Sequence, residues 1–245
     1  MSTEGKVGGV YHGEPILLDL GVEDYSEILK LQRHMNFLSS NSEVGDAVFL
    51  LQHPDVYTLG IHRNQTEILS PEIVPFEVER GGSATYHGPG QLVVYFMVNM
   101  KNHGINVRDL IQMTQNSITS LLSDYGIHSE GRLHGETGVW VKEKKICSIG
   151  FAVKGFSTLH GIGFNVNTDL SKFQKIMPCG MQSTIMTSME NELGHAIDFK
   201  SVKNRLKKSF IEMLGLEKYI EFNSIDELKS YSVGNGLGLF PKELL

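Results

Sequence analysis

A twelve-residue segment of glycine and polar residues, 80–91, constrains the fold of this chain more than any other stretch. Its sequence is Arg-Gly-Gly-Ser-Ala-Thr-Tyr-His-Gly-Pro-Gly-Gln, and it leads directly into an apolar run at residues 92–98. Glycine allows backbone conformations and close contacts that a Cβ forbids, and Pro89 between two glycines fixes a sharp turn. The composition favours a ligand-facing loop between two strands and is poorly suited to burial.

The composition of the whole chain indicates one globular domain with its own core. The chain has 245 residues, of which 40% are hydrophobic. It has no run of about 18 apolar residues that could span a membrane, and residues 1–10 lack the features of a secretory signal. We therefore expect a cytoplasmic protein without a membrane partner. A formal net charge of −6 argues against a broad nucleic-acid-binding surface.

Hydrophobic periodicity predicts helices and strands that alternate along the chain. Helices are expected at residues 24–38, 106–125 and 200–214, with a short helical turn at 169–174. Strands are expected at residues 47–51, 56–59, 76–78 and 92–98, followed by a three-stranded meander at 138–142, 145–153 and 157–166. This order favours an α/β (α+β) fold with a mixed β-sheet flanked by helices. We divide the chain into a catalytic domain, residues 1–216, and a C-terminal appendage of the same domain, residues 217–245.

A cysteine and a distant lysine are candidates for nucleophilic chemistry. Cys179 lies between Pro178 and Gly180, where a tight turn would present its sulfur. A thiolate is the nucleophile, and a thiol with a pKa near ~8.5 needs a nearby cation to ionise fully at neutral pH. Lys145, at the start of the middle meander strand, is a suitable cation. Alternatively, Cys179 is a small buried hydrophobe and Lys145 a solvated charge. Cys147, within an apolar strand pattern, fits a buried role better.

The remaining polar residues do not form a recognisable metal or phosphate site. The histidines lack the spacing of metal-ligand motifs, and neither glycine-rich phosphate-binding fingerprint is present, so we expect no metal and no cofactor. His87 and His160, each followed by glycine, are either pocket-lining hydrogen-bond partners or satisfied buried histidines. The basic cluster of Lys203, Arg205 and Lys207 is either a solvated helix face or a docking patch for an acidic partner.

Five segments in a fixed order carry a resemblance to a known family. They are residues 80–91, Gly138-Val139-Trp140-Val141, Lys145-Ile146 with Ser148-Ile149-Gly150, His160-Gly161 with Asn165-Val166, and Pro178-Cys179-Gly180 with Thr187-Ser188. Together they resemble the octanoyltransferases of lipoate biosynthesis, also called lipoyl(octanoyl) transferases, which are relatives of the biotin and lipoate protein ligases. The resemblance covers about residues 53–193 and implies a biotin/lipoate protein ligase-like catalytic domain.

The resemblance implies an acyltransferase acting in protein lipoylation. Its donor would be octanoyl-acyl carrier protein, and its acceptors would be lysines of apo lipoyl domains, such as those of 2-oxoacid dehydrogenases and the glycine cleavage H protein. Cys179 matches the nucleophile that forms a thioester acyl-enzyme, and Lys145 matches its partner, the thiolate stabiliser and general acid/base. The residues that match the acyl-binding segments are Arg80, Gly81, Gly82, Ser83, Ala84, Thr85, Tyr86, His87, Ser148, Ile149, Gly150, Gly161, Ile162 and Gly163.

Two alternatives share the same sequence features. The first is an ATP-dependent lipoate or biotin protein ligase on the same fold, which activates a free acid as its adenylate and needs no cysteine. The segment Pro178-Cys179-Gly180 favours transfer over ligation. The second is a non-catalytic acyl-binding protein, which would bind octanoyl groups without transferring them. A cysteine and a lysine at both reactive positions argue against it.

Overall fold

The computed structural model describes residues 13–62, 64–133, 137–177 and 185–240. The strands are β1 (Ile16–Val22), β2 (Ala47–Gln52), β3 (Val56–Leu59), β4 (Phe76–Glu77), β5 (Ala84–His87), β6 (Gln91–Met97), β7 (Glu130–Arg132), β8 (Gly138–Val141), β9 (Lys144–Lys154), β10 (Ser157–Asn165) and β11 (Ile220–Phe222). The helices are α1 (Tyr25–Ser40), α2 (Met100–His103), α3 (Val107–Asp124), α4 (Met189–Leu193), α5 (Phe199–Met213) and α6 (Ile225–Gly234). Short 3-10 turns lie at Gln65–Glu67 and Leu170–Lys175.

Two sheets organise these elements. The larger sheet has eight strands in the order β11-β1-β2-β6-β10-β9-β8-β7, and the smaller has three in the order β4-β3-β5. In the larger sheet β1 is parallel to both β11 and β2, and the other neighbours are antiparallel. The predicted mixed sheet and the meander of β8, β9 and β10 are therefore confirmed.

The helix boundaries follow the capping residues of the sequence. Asp24 accepts hydrogen bonds from the backbone N–H groups of the first turn of α1. Asn106 and Asp109 form a reciprocal capping box at the start of α3, which is followed by Gly126 with φ of 74°. These caps satisfy backbone donors and acceptors that a helix end leaves unpaired. The helices predicted at residues 24–38, 106–125 and 200–214 are confirmed.

The larger sheet carries a hydrophobic core on each face. Along β6, Leu92, Val94 and Phe96 belong to one cluster, which includes residues of α3 and α5. The alternate residues Val93 and Tyr95 belong to a second cluster, packed against α1 and α6. Successive strand side chains point to opposite faces, so a strand that is buried throughout has helices on both sides.

Most of the glycine-rich segment is buried, contrary to the prediction of a loop poorly suited to burial. All four residues of β5 are buried and pair antiparallel with β3. Arg80 is also buried, and its guanidinium donates to the carbonyl oxygens of Thr58 at 3.0 Å, Gly81 at 2.9 Å and Ser83 at 2.6 Å. Pairing of the backbone and of the polar side chains removes the desolvation penalty that composition alone suggested.

The region after residue 216 adds to the larger sheet. Residues Ile16, Leu17 and Leu18 of β1 pair in parallel with β11, and Leu228 of α6 is buried in the second core cluster. The weak periodicity of this region reflects one three-residue strand and one short helix. The division of the chain at residue 216 stays a prediction. Across the described ranges, none of the helices combines the length and apolar character needed to span a membrane.

The basic cluster on α5 makes ion pairs within the chain. The ammonium groups of Lys203 and Lys207 both pair with Asp19 of β1, and Arg205 pairs with Asp124. Lys203 also donates to the carbonyl oxygen of Leu20 at 2.8 Å. Lys203 and Lys207 thus turn inward, whereas Lys208 on the same helix is exposed, and the docking-patch interpretation of the cluster stays a prediction.

Candidate active site

A cavity of about 480 Å³ lies between the glycine-rich segment and strands β9 and β10. Tyr25 of α1 and Val107 and Ile111 of α3 complete its wall. The volume is within the range of small-molecule sites in proteins. Most residues that match the family's acyl-binding segments line this cavity: Arg80, Gly81, Gly82, Ser83, Thr85, His87, Ser148, Ile149, Gly150, Gly161, Ile162 and Gly163.

Two residues of the predicted acyl-binding segments, Ala84 and Tyr86, do not line this cavity. Both belong to a third hydrophobic cluster, which also contains Phe173, and the hydroxyl of Tyr86 donates to Asp55 at 2.7 Å. They alternate along β5 with Thr85 and His87, which line the cavity. The two-residue periodicity of a strand therefore splits the predicted acyl-binding segment between two faces.

Two glycines, Gly150 and Gly163, keep part of the cavity open. A Cβ at Gly150 would lie 3.0 Å from the carbonyl oxygen of Gly81, and one at Gly163 would lie 3.2 Å from Cε1 of His87. Both approaches are closer than ordinary van der Waals contact, so a side chain at either position would press against the cavity wall. Glycine at these positions permits the close packing of β9 and β10 against the glycine-rich segment.

Lys145 reaches the cavity because β9 contains a bulge. The pairing of β8 with β9 shifts register between Val139 and Trp140, so that Trp140 pairs with Lys145 and Val139 with Cys147. Ile146 and Cys147 both point into the first core cluster, whereas Lys145 lines the cavity. In a regular strand Lys145 and Cys147 would share a face, and the extra residue re-aims the lysine.

The side chain of Lys145 is held in a confined position. It is only 3% exposed, and its Nζ lies 5.5 Å from the centre of the Trp140 ring. Gly138 makes room for it, because a Cβ there would lie 2.8 Å from Lys145 Cε. A buried ammonium in a cavity wall is well placed to stabilise a nearby anion.

Cys179 lies outside the described residues, but the chain on both sides of it is bound to cavity residues. The N–H of Met177 donates to the carbonyl oxygen of Glu67 at 2.7 Å. The N–H of Thr187 donates to the carbonyl oxygen of Lys145 at 3.0 Å, and Met186 forms a parallel bridge with Lys145. Glu67 and Lys145 both line the cavity.

Cys147 has the structural role that the sequence indicates. Its side chain is fully buried in the first core cluster. Burial raises the pKa of this thiol far above its usual value, and the charge of Lys145 offsets that rise only in part. Cys147 is therefore a protonated thiol at physiological pH and not a nucleophile.

A hydrogen-bond network connects His87 to the backbone beside Lys145. Gln91 Nε2 donates to the carbonyl oxygen of Tyr86 at 3.1 Å and to Asn165 Oδ1 at 2.9 Å, so its Oε1 faces His87 Nδ1 at 2.6 Å. Asn165 Nδ2 then donates to the carbonyl oxygen of Thr187 at 2.9 Å. Gln91 and Asn165 belong to the family-like segments, yet sequence reasoning assigned them no function.

Two buried histidines of the cavity wall, His87 and His160, are neutral. Burial lowers the pKa of His87 to about 3, and it also lowers the pKa of His160. Since Gln91 Oε1 accepts a hydrogen bond from Nδ1 of His87, the neutral ring carries its proton there and leaves Nε2 as an acceptor. His160 has a left-handed φ of 62°, and its Nε2 lies 3.6 Å from Glu79 Oε2, beyond hydrogen-bond length.

Sequence reasoning did not select Glu67. Its carboxylate is buried in the cavity wall, where Oε2 accepts hydrogen bonds from the Ser83 hydroxyl and from the Ala84 N–H at 3.0 Å. Asn64 caps the 3-10 turn that carries it. An isolated glutamate in a short turn gives no motif that could have marked it. Within the described residues, no group of three or more His, Cys, Asp or Glu side chains could hold a metal ion.

Comparison with known proteins identifies relatives across most of the chain. Residues 9–211 match the family model of the lipoyl protein ligase A/B catalytic domain. The "Probable octanoyltransferase 2" of Picrophilus torridus is 44% identical over 219 residues, which cover 89% of this chain and 84% of the relative. The octanoyltransferase of Caldicellulosiruptor saccharolyticus is 36% identical over 218 residues, which cover 85% of this chain and 93% of the relative.

A solved structure shows the same fold. The crystal structure of lipoate-protein ligase A bound with ATP superposes with a TM-score of 0.71, covering 92% of this chain and 95% of the ligase chain. The identity is 15%, so this likeness concerns the fold alone. The mixed sheet with flanking helices is therefore a lipoate protein ligase fold, as the sequence resemblance implied.

Proposed function

Because the chain belongs to the lipoyl protein ligase A/B catalytic-domain family and is an acyltransferase of lipoate biosynthesis, we propose that it transfers octanoyl groups through a thioester on Cys179. The proposed donor is octanoyl-acyl carrier protein, and the proposed acceptor is a lysine of an apo lipoyl domain. Lys145 is the proposed thiolate stabiliser and general acid/base. The cavity beside Lys145 is the proposed site of the octanoyl chain, in which each buried methylene contributes about 0.8 kcal/mol.

In the first half-reaction the Cys179 thiolate attacks the carbonyl carbon of the donor thioester. The new carbon–sulfur bond forms through a tetrahedral oxyanion, and the bond to the carrier sulfur then breaks. The carrier thiolate takes the proton of the Lys145 ammonium and leaves as a thiol. The products of this step are an acyl-cysteine and a neutral Lys145.

In the second half-reaction the neutral amine of the acceptor lysine attacks the acyl-cysteine. The carbon–nitrogen bond forms, the carbon–sulfur bond to Cys179 breaks, and Lys145 accepts the proton that the nitrogen loses. The thiolate and the ammonium are thereby restored, and no ATP is consumed. Lys145 can act in both half-reactions because the negative charge of the Cys179 thiolate is absent only in the acyl-enzyme. The thiolate favours the protonated form of Lys145, and its loss on acylation favours the neutral form that accepts a proton.

The observation that carries this proposal is the attachment of the Cys179 segment to the cavity. Met177, two residues before Cys179, is bound to the backbone of Glu67, and Thr187 is bound to the backbone of Lys145. Both anchors line the same cavity, in which Lys145 is buried. This arrangement supports a reaction between the thiol and an acyl group held in the cavity.

Intact-protein mass spectrometry after incubation with octanoyl-acyl carrier protein, without ATP, tests the proposal. The wild-type chain is expected to gain the mass of one octanoyl group and to lose it when an apo lipoyl domain is added. Cys179→Ala should gain no mass, because the nucleophile is missing. Cys147→Ala is the matched control and should be acylated, since that thiol is protonated and sealed in the core.

The ligase alternative predicts a different dependence on substrates. If lipoyl-domain product forms only with ATP and free octanoate, and the Cys179→Ala variant remains active, then the chain activates its substrate as an adenylate. Equal loss of loading in both cysteine variants would show that Cys179 is not the specific acyl carrier.

A further inference from the structure

We propose that Glu67 is the binding site for the ammonium group of the acceptor lysine. The inference rests on the proposed function and deepens it, because it assigns a residue to acceptor recognition. It adds no covalent step to the reaction. Glu67 would hold the protonated side chain of the acceptor lysine in the cavity, beside the acyl group on Cys179. The lysine ammonium then loses one proton to solvent, and the neutral amine attacks.

The surroundings of Glu67 fix its carboxylate in place. Oε2 accepts hydrogen bonds from the Ser83 hydroxyl and the Ala84 N–H, which hold the group against the glycine-rich segment. The residue is 7% exposed and lines the cavity. A carboxylate can accept about four hydrogen bonds. In the described part of the chain no donor reaches Oε1, so one oxygen is available to a ligand.

The carboxylate of Glu67 differs in charge from the other ionisable groups of the cavity wall that the structure describes. Among the described residues that line the cavity, Glu67 is the only carboxylate, whereas Arg80 and Lys145 are cations. The Arg80 guanidinium binds three carbonyl oxygens of the fold. In the proposed acyl-enzyme Lys145 is neutral, but the Arg80 guanidinium would still repel an ammonium that enters the cavity, and a buried anion in the same wall offsets this repulsion.

Of the two proposed substrates, only the acceptor has a charge complementary to the Glu67 carboxylate. The reacting end of the donor is a neutral thioester, whereas a lysine side chain, with an ordinary pKa of ~10.4, arrives as a cation. Glu67 is also adjacent to the reaction, because its carbonyl oxygen accepts the hydrogen bond of Met177. A buried carboxylate there would favour an ammonium over a neutral nucleophile such as water or an alcohol.

The test compares Glu67→Gln with wild type in the two half-reactions separately. Glutamine keeps an oxygen acceptor for Ser83 and Ala84 and removes the charge. We expect octanoyl loading from the carrier protein to be unchanged, while KM for an apo lipoyl domain rises about 10-fold to 100-fold, the size of one charge-assisted hydrogen bond. Glu77→Gln is the matched control. Glu77 is exposed and lies outside the cavity wall, and its substitution removes the same charge.

Small nucleophiles separate charge recognition from a structural role. Pre-loaded acyl-enzyme is treated with butylamine, a cationic mimic of the lysine side chain, and with hydroxylamine, which is neutral at pH 7. In Glu67→Gln the rate with butylamine should fall, and the rate with hydroxylamine should match wild type. Glu67→Asp, which keeps the charge, should recover part of the butylamine rate and serves as the test variant if Glu67→Gln does not fold.

Three results would overturn the inference. The first is an unchanged KM for the lipoyl domain in Glu67→Gln. The second is an equal loss with both small nucleophiles, which would make Glu67 a structural brace of the glycine-rich segment. The third is equal impairment of the Asp and Gln variants. Failure of the wild-type chain to transfer any octanoyl group would instead overturn the proposed function on which the inference rests.

Discussion

At the scale of single residues, the position of Lys145 depends on features that lie beside it in the sheet. The bulge in β9 turns the lysine toward the cavity, and Gly138 on the neighbouring strand leaves space for its Cε. The same bulge sends Ile146 and Cys147 into the core. The cavity-lining Lys145 and the core-facing Cys147 are thus directed to different sides by one extra residue in the pairing.

Gly138→Ala should impair acyl loading. Its Cβ would press against Lys145 Cε and the carbonyl oxygen of Cys147, which displaces the ammonium. We expect the loading rate to fall about 100-fold, the effect of a displacement near 1 Å in a catalytic group. Mass spectrometry of samples quenched at successive times measures the loading rate, and circular dichroism at the assay temperature measures the folded fraction.

Gly21→Ala is the control for this experiment. Among the described residues, no atom beyond its chain neighbours lies within 4 Å of the Cβ position of Gly21, which is also a strand residue. Its loading rate should match wild type. A Gly138→Ala variant that is folded and loads at the wild-type rate would show that the space beside Lys145 is not required.

The sequence could predict reactive residue types but not their surroundings. Lys145 stood out as a cation at the start of a strand and by its match to the family, and His87 and His160 stood out because each is followed by glycine. Glu67 did not, because its importance comes from Ser83 and Ala84, which are more than fifteen residues away in the chain. The neutral state of His87 likewise depends on its burial, and the position of its proton depends on Gln91 Oε1, neither of which a local pattern encodes.

At the scale of elements, α3 connects helix capping to the cavity. Asn106 Oδ1 accepts hydrogen bonds from the N–H groups of Arg108 and Asp109, and the Asp109 carboxylate accepts one from the Asn106 N–H at 2.9 Å. The first turn then carries Val107 and Ile111 to the cavity wall. The cap therefore fixes part of the cavity wall as well as the helix.

Asn106→Ala should destabilise the folded chain by about 1 kcal/mol, the usual effect of losing such a cap. Urea denaturation followed by circular dichroism measures the change. Asn116→Ala is the matched control, because Asn116 is exposed within the same helix. Alanine has the higher helix propensity there, so the control should be neutral or slightly stabilising. Equal destabilisation by both substitutions would contradict the capping role.

Most elements were predictable because their hydrophobic period is clear. The helices with apolar stripes and the strands of the meander lie where the sequence predicts them. β5 was missed because its residues include Thr85 and His87 in a glycine-rich context, and it is stabilised by pairing with β3 rather than by propensity. β1 was also missed, although Ile16–Val22 is largely apolar.

At the scale of the whole molecule, ion pairs join the two ends of the chain. Asp19 of β1 pairs with Lys203 and Lys207 of α5, and Lys207 also pairs with Glu221 of β11 at 2.7 Å. All four side chains are at least partly buried. Burial alone would raise the pKa of Asp19, but hydrogen bonds and charges from the two lysines outweigh it, and the pKa is lowered.

Asp19→Asn should lower the free energy of unfolding by about 2 kcal/mol at pH 7, since it leaves two partly buried ammonium groups without their shared anion. The folded-state pKa of Asp19 lies below its unfolded value. Its contribution is therefore present above about pH 4 and is lost as pH falls through the folded-state pKa. Urea denaturation of variant and wild type from pH 7 to pH 3 should show a difference that shrinks with acid.

Asp124→Asn is the control for this prediction. Asp124 pairs with Arg205, and both side chains are about half exposed. Such surface pairs contribute little, so this variant should differ from wild type by less than about 1 kcal/mol at every pH. A difference for Asp19→Asn that stays constant down to pH 3 would contradict the proposed ion-pair contribution.

The complete burial of Cys147 makes it a reporter of opening of the first hydrophobic core. The residue is 0% exposed, and its side chain lies in the core cluster that β9 shares with α3 and α5. An alkylating reagent can modify this sulfur only in molecules in which that core has opened, so the rate of its modification measures how often it opens. Because the sequence has only two cysteines, peptide mapping distinguishes the slow modification of Cys147 from any modification of Cys179, and no substitution is needed.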